Sequence, residues 1–562
     1  MKELVYHRLF FPALTRHADK VGIKDGAYRG TFAQHGERVM RLANAMQHQL
    51  GMQRGERFAV MSCNSHQYLE LYHAGFLGAG VINPLNLRLA GKELQYILAD
   101  SEATVAFVDA IFAEHFLRNI AEARGELPLR HVVLIGDADV EVTASYEDLL
   151  ASGEPVVPAE PEETDPVVLM YTGGTTGKSK GALLDQRAEM LNMYHIGMSI
   201  PLSDERVYLH QTPMFHAASM GGVLGVPASG AVSTFVPMFE PGAVIDNIEA
   251  HGVDWTMMVP TMIALMLQHP SFTPHRVSSM RDLVYGASPM PAALLDRIMA
   301  AMPEVNIWQG YGMTECSSVL TFLTADDHRR GGPRLRSAGR PALGTEISIR
   351  DEMGNEVPTG EDGEVWARGG NFMREYWKLP EQTDAVFVDG WYRTGDAGHV
   401  DDHGYLFLVD RVKDMIVTGG ENVYSTEVEN ALSNHPAVAQ VAGDAAELHE
   451  GRLASGSRHD DFGAVARFRL RRCQLRLGRP GAQSAERGAK QDRCRFTKAV
   501  HSRLPWYLYP APMKSGRRVI SSGCDHGAGL RRPRAFHASI TRRSRTRTAC
   551  CWAPATSVPA WH

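Results

Sequence analysis

The sequence predicts an α/β protein: a large N-terminal domain of layered, mostly parallel sheets with helices, a small β subdomain, then a hinge and an incomplete α+β C-terminal domain. Three observations carry this. Short β-rich apolar runs recur between longer helical stretches in the first three hundred residues, the order that places helices over parallel strands. Beyond Gly339 the texture changes to alternating, turn-bounded strands. After about Gly443 the periodicity fades into an arginine-rich tail.

In chain order, the runs at 57–61 (RFAVM), 104–108 (TVAFV), 131–135 (HVVLI), 166–171 (PVVLMY), 255–259 (WTMMV) and 282–285 (DLVY) read as buried strands. Those at 346–349 (EISI), 363–366 (GEVW) and 404–409 (GYLFLV) form the small β subdomain. Residues 414–418 read as a strand, 426–433 as a short helix ending near His435-Pro436, and 438–442 as another strand. The expected domains are 1–409 for the large N-terminal part, 410–442 for the start of a small C-terminal domain, and 443–562 for the tail.

Segment 170–181 (MYTGGTTGKSKG) packs four glycines, three threonines and two lysines directly after an apolar strand. Glycines let a backbone turn closely around an anion with its amides pointing inward, and hydroxyls and ammonium groups complete a phosphate cradle. The spacing differs from the Walker loop, which needs four residues between its first glycine and Gly-Lys-Ser/Thr; Gly173 and Gly177 enclose three. The competing reading of such a loop is plain punctuation without a ligand.

Further motifs follow in order: Gly286-Ala287-Ser288, 309–315 (QGYGMTE), 392–396 (YRTGD), 404–414 (GYLFLVDRVKD) and 419–427 (GGENVYSTE). Together with the glycine loop they resemble the adenylate-forming superfamily, which includes acyl-CoA synthetases, luciferases and peptide-synthetase adenylation domains. The resemblance implies an ATP-dependent acyl-CoA synthetase. It would activate a fatty or other hydrophobic carboxylic acid as an acyl adenylate and pass the acyl group to coenzyme A. ATP, Mg2+ and coenzyme A are the implied cofactors and co-substrates. A catalytically impaired nucleotide- or acyl-binding relative, or an acyl-AMP ligase without CoA transfer, is the alternative.

By the same resemblance, Thr172, Thr175, Thr176 and Gly177 would contact the triphosphate, with Lys180 adding charge near its β/γ end. Gly286, Ala287 and Ser288 would line the adenine, Tyr311 would stack on it beside Gly312, and Thr314 would meet the α-phosphate. Glu315 would bind Mg2+, a hard cation that takes carboxylate oxygen beside phosphates. Asp396 would clamp the ribose hydroxyls with help from Arg411, and His216 would stand by the reacting carboxylate. Lys413 would be the hinge, and Gly419 and Gly420 would line the thiol path. Outside this context each residue has a plainer reading: capped turns for the threonines, a helix cap for Thr314-Glu315, a turn for Asp396, a satisfied core histidine for His216.

The net charge of −6 hides an asymmetry: residues 451–562 hold 24 Lys plus Arg against 5 Asp plus Glu. Five of the seven cysteines also fall there, without metal-ligand spacing. The family's small domain continues with alternating strands and a Gly-Lys loop that delivers a catalytic lysine; here 513–518 (MKSGRR) has arginine in its place. The preferred reading is a frame-shifted or otherwise aberrant C-terminus. Nucleic-acid binding is not expected, since aromatics are sparse among the arginines. The N-terminus lacks a signal-peptide core and no run reaches the ~20 apolar residues of a membrane span, so a cytoplasmic enzyme is expected. Peripheral membrane contact and a homodimer stay open.

Overall fold

The computed structural model describes residues 3–89, 91–172 and 178–409 in full, and the backbone of strands at 410–411, 416–418, 421–423, 438–442, 469–470 and 473–477. The strands expected at 57–61, 131–135 and 438–442 form with those bounds, and those at 104–108, 255–259 and 282–285 within a residue or two. The expected helix at 426–433 lies outside the described residues.

Two large sheets make up the N-terminal body. The first has eight strands, ordered Glu375–Tyr376, Lys180–Asp185, Pro166–Thr172, Val81–Pro84, Arg57–Met61, Ala103–Asp109, His131–Ile135 and Ala144–Ser145. Its centre is parallel, and its strands are apolar on both sides because helices cover them. The second has nine: Arg340–Pro341, Thr321–Leu323, Asn306–Tyr311, Asp282–Gly286, Trp255–Met258, Val207–His210, Val232–Phe235, Val21–Asp25 and Tyr28–Thr31. The last two are a hairpin from the chain's start that sequence reading missed, being short and mixed in polarity. The third sheet is the small β subdomain, built from Glu346–Arg350, Gly363–Arg368, Trp391–Val400, Phe387–Val388 and Leu406–Arg411.

Local chemistry sets the helices that cover these sheets. Thr31 and Gln34 form a capping box at the start of Phe32–His48, Asp185 caps Gln186–Ser199, and Gly252 stops Pro241–His251 in the left-handed conformation at φ 64°.

A chain of buried imidazoles joins two helices to the helical turn Gly221–Gly225 at the largest core. His35 Nε2 lies 2.8 Å from His73 Nδ1, and His73 Nε2 is 3.0 Å from the Val223 carbonyl. A carbonyl can only accept, so His73 carries its proton on Nε2 and receives one from His35 Nε2. His35 Nδ1 is then a bare lone pair, in keeping with its lack of a partner. Both rings are neutral, and no second proton has a place to go. Burial pushes His73 down to about 4 and His210 to about 3; His35 is lowered as well, first by burial.

These depressed values make stability depend on pH with a definite sign. Between about pH 6.5 and 4 the unfolded chain binds protons at these histidines that the folded chain refuses. Stability is therefore complete above pH 6.5 and declines as the pH falls. Melting temperatures measured from pH 7.5 to 5 should drop steadily, and His73→Gln should flatten that slope; a melting temperature independent of pH over this range contradicts the neutral chain.

Candidate active site

The glycine loop joins Pro166–Thr172 to Lys180–Asp185, an antiparallel pair in which Thr172 stands opposite Lys180. Residues 173–177 of the loop, with Thr175, Thr176 and Gly177, lie outside the described residues. Its ends are firmly held. Tyr171 donates its hydroxyl to Asp100 Oδ2 at 2.6 Å, and Tyr96 donates to the Ser179 carbonyl at 3.1 Å. The Lys178 ammonium sits 4.9 Å from the Tyr96 ring centre, and the Trp377 amide donates to the Gly181 carbonyl at 2.7 Å.

The last contact reflects a short strand, Glu375–Tyr376, that pairs with Lys180–Asp185 and sets Tyr376 opposite Ala182. Lys180 Nζ lies 4.6 Å from the centre of the Tyr376 ring, a cation over a π face. The Tyr376 hydroxyl donates to Glu315 Oε1 at 2.8 Å and lies 3.3 Å from the Tyr392 hydroxyl. Burial, then the Glu315 charge, push this phenol well above its ordinary pKa, so it stays a donor. The Thr314–Cys316 turn is clamped from behind. Buried Asn371 donates to the carbonyls of Cys316 and Val319, both at 2.9 Å, and the Met373 amide donates to the Glu315 carbonyl at 2.7 Å.

Tyr311 ends the strand Asn306–Tyr311 and donates its hydroxyl to Asp396 Oδ2 at 2.6 Å. Asp396 stands mid-strand in Trp391–Val400, and its backbone pairs with that of Arg411 on Leu406–Arg411; the Arg411 side chain lies outside the described residues. Gly286 pairs with Gly310 so closely that a Cβ on Gly286 would come within 2.4 Å of the Gly310 carbonyl oxygen. A Cβ on Gly312 would meet the Ser318 carbonyl oxygen at 2.2 Å. Ala287, at φ 63°, adopts the left-handed conformation rare for residues other than glycine, and both it and Ser288 are exposed. Lys413, Gly419 and Gly420 lie outside the described residues.

A cavity of about 1000 Å³ opens beside this cluster, its walls including His216, Ala287, Gly312, Thr314, Tyr208 and Trp255. Its lining is mainly aromatic and aliphatic, with Gly221 and Gly222 on one wall. A Cβ on Gly222 would strike the Tyr208 ring at 2.4 Å, and one on Gly221 would lie 2.7 Å from Ile196 Cδ1. His216 is accessible through the cavity, while the protein packed around it lowers its pKa; the desolvating wall acts first and the Arg88 charge second. It is therefore a neutral imidazole at neutral pH.

Comparison with known proteins decides the family. The model of the AMP-binding enzyme family matches residues 10–377. Feruloyl-CoA synthase of an Amycolatopsis species is 38% identical over 419 residues, 74% of this chain and 80% of its own length. Indoleacetate–CoA ligase of Aromatoleum aromaticum is 36% identical over 421 residues, 73% of this chain and 79% of its own. The crystal structure of the anthranilate CoA ligase AuaEII with anthranoyl-AMP superposes with a TM-score of 0.72 at 28% identity, covering 78% of this chain and 84% of that one.

The chain belongs to the AMP-binding enzyme family. It is an AMP-forming acid–CoA ligase for a hydrophobic acid, with ATP, Mg2+ and coenzyme A as its reactants and cofactor. The residues present suit those groups. Among the described residues no cluster of three or more potential metal ligands occurs. Glu315, whose Oε1 accepts from Tyr376, is the kind of single hard donor that serves Mg2+ when phosphate oxygens supply the remaining positions. The glycines at 286 and 312 let neighbouring backbone pack against them, Gly310 on the one and Ser318 on the other, and Gly312 with Ala287 borders the cavity.

Three residues of this AMP-binding enzyme escaped sequence reasoning. Tyr376 could have been suspected from the Tyr-Trp pair that follows Gly369-Gly370, but an isolated two-residue strand has no periodic signal. Asn371 and Asn64 look like ordinary loop residues. Asn64 is buried and spans the two large sheets: Nδ2 donates to the carbonyls of Thr212 and Val236, both at 3.2 Å, and Oδ1 accepts from the Met214 amide at 2.9 Å. It thereby fixes the turn that presents His216. Asn64→Ala would strand these groups without partners, so chemical denaturation should show a loss of about 2 kcal/mol. A loss near zero contradicts the bridging role.

Proposed function

We propose that the cavity holds the apolar part of the carboxylic acid, with its carboxylate between His216 and Thr314, and that the nucleotide lies across Gly286, Tyr311 and Asp396. The single observation that carries this reading is the cluster in which Lys180 lies over the Tyr376 ring and Tyr376 donates to Glu315, next to a largely apolar cavity lined by His216 and Thr314. A carboxylate is a poor acyl donor because oxide does not leave. Attack of its oxygen on the α-phosphorus of ATP forms the acyl adenylate and expels pyrophosphate, which requires two anions to meet among oriented donors.

Neutral His216 suits the carboxylate as a hydrogen-bond donor that leaves the oxygen nucleophilic, whereas an imidazolium would hold it as an ion pair. Thr314 meets the α-phosphate, and Lys180 with the glycine loop holds the β/γ end. Mg2+ on Glu315 would neutralise phosphate charge. Tyr376 fixes the Glu315 carboxylate, and Asp396, oriented by Tyr311, takes the ribose hydroxyls. Gly286 and Ala287 border the base.

The domain limits at 409 and 442 and the aberrant tail belong to the same proposal. Apart from Arg411, the groups proposed to bind acid and nucleotide lie before residue 409, and the arginine at the place of the family's catalytic lysine weakens turnover more than binding. Buried, unpaired Cys63 and Cys316 suit the reducing cytoplasm, and among the described residues no helix is long and apolar enough to cross a membrane.

Isothermal titration with a non-hydrolysable acyl-adenylate mimic should detect binding to the full chain, and Asp396→Ala should weaken it by at least about tenfold. Absence of binding to the unaltered chain contradicts the site. Tyr376→Phe removes the donor to Glu315 while keeping the ring under Lys180. The Mg2+ concentration giving half-maximal ATP–pyrophosphate exchange should rise about 10- to 100-fold, and an unchanged requirement contradicts the role of Tyr376.

A further inference from the structure

The turn that follows Thr314 and Glu315 is held in a conformation its residues disfavour. Ser317 has φ 60° and Ser318 φ 133°, two successive residues in the region where glycine would be the unstrained choice. Such strain persists only where the surroundings impose it, and it gathers at functional sites. Both serines use their hydroxyls to hold the turn. Buried Ser317 donates to the Asn371 carbonyl at 2.9 Å, and Ser318 donates to Asn192 Oδ1 at 3.1 Å. Glycine has no such handle, so at these positions the side-chain anchor outweighs the backbone cost.

The turn is also braced from within. Cys316 Sγ donates to the Met313 carbonyl at 3.2 Å and accepts from the Met313 amide at 3.3 Å. The Leu320 amide donates to the Tyr311 carbonyl at 2.7 Å, closing the loop onto the strand that ends at Tyr311. The Ser318 carbonyl oxygen lies so close to Gly312 that a Cβ there would stand 2.2 Å from it. A displacement of Ser318 is therefore passed to Gly312 and to Thr314 and Glu315 between them.

Asn192 links this turn to the phosphate side of the site. It is buried on the helix Gln186–Ser199, which follows the strand Lys180–Asp185 without a break, and Lys180 opens that strand. The helix is itself anchored at its first residue: Gln186 Nε2 donates to the Phe76 carbonyl at 2.6 Å, and its Oε1 accepts from the Tyr6 amide at 3.1 Å.

We infer that Asn192 and Ser318 are positioning residues for adenylate formation: their hydrogen bond holds the strained turn, and through it Thr314 and Glu315, in register with the strand that carries Lys180. Tyr376 fixes the Glu315 carboxylate, whereas Asn192 fixes the backbone that carries it. Without the bond the turn relaxes toward negative φ and Thr314 shifts. This rests on the reading in which Thr314 meets the α-phosphate, and the test separates the two.

The test titrates 3-phenylpropanoyl-sulfamoyladenosine, a hydrolysis-resistant acyl-adenylate mimic, calorimetrically into the full chain and its variants, well below their melting transitions. Ser318→Ala removes the anchor and keeps the strain, so the mimic should bind about tenfold more weakly. Ser318→Gly also removes the anchor but adopts φ 133° without strain, so its affinity should stay close to that of the unaltered chain. Asn192→Ala should match Ser318→Ala, the double alanine variant should lose nothing further, and Ser318→Gly should restore affinity to Asn192→Ala. Should Asn192→Ala fail to fold, the comparison of alanine with glycine at 318 decides alone. Unchanged affinity in the alanine variants, whatever their melting temperatures, marks a merely structural tie and overturns the inference while leaving the site standing. Additive losses, or a glycine variant as weak as the alanine one, overturn it too. Failure of the unaltered chain to bind the mimic overturns the assignment of Thr314 and the inference with it.

Discussion

The Tyr376 hydroxyl is the point at which three sheets meet. Its strand extends the first sheet, its proton goes to Glu315 at the end of the second, and its oxygen touches Tyr392 of the third. Lys180 lies over the same ring. Moving any sheet would break one of these contacts. A phenol supplies both a rigid apolar body and a polar tip, so one side chain can be packed in a core and still orient a carboxylate. Burial keeps the phenol protonated, and the hydrogen bond fixes Glu315 before any substrate arrives. That preorganisation is what an anionic reaction needs, because donors already in place cost no reorganisation as charge develops.

The acyl side is held by different means. Asn64 ties the turn before His216 to both large sheets, and the His35–His73 chain ends on the carbonyl of Val223, next to the two glycines of the cavity wall. These are buried hydrogen bonds between neutral groups, so the wall is stiff without placing charge beside an apolar substrate. The neutral His216 follows the same logic, since its surroundings disfavour the imidazolium. Charge is concentrated where phosphate is expected and kept out where hydrocarbon is expected.

Much of this was legible in the sequence because its signals are local. The parallel strands announce themselves as short apolar runs, and Thr314, Glu315, Tyr311 and Asp396 sit inside compact motifs that the fold joins through Tyr311 and Tyr376. The N-terminal hairpin was illegible: its strands have mixed polarity and are specified by pairing with Val232–Phe235, two hundred residues away. Tyr376, Asn371 and Asn64 were missed for a related reason. Each acts through contacts distant in sequence, and a lone asparagine or a two-residue strand has no period to detect. Thr175, Thr176, Gly177, Lys413, Gly419 and Gly420 were named from motifs and lie outside the described residues.

The most direct test of a single pocket shared by acid and nucleotide is a crystal structure of the full chain with an acyl-sulfamoyladenosine and Mg2+. The account predicts the ribose hydroxyls on Asp396, the metal on Glu315, the sulfamate at Thr314 and the acyl group in the cavity beside His216. A ligand bound with its ribose away from Asp396, or with its acyl group outside that cavity, would contradict it.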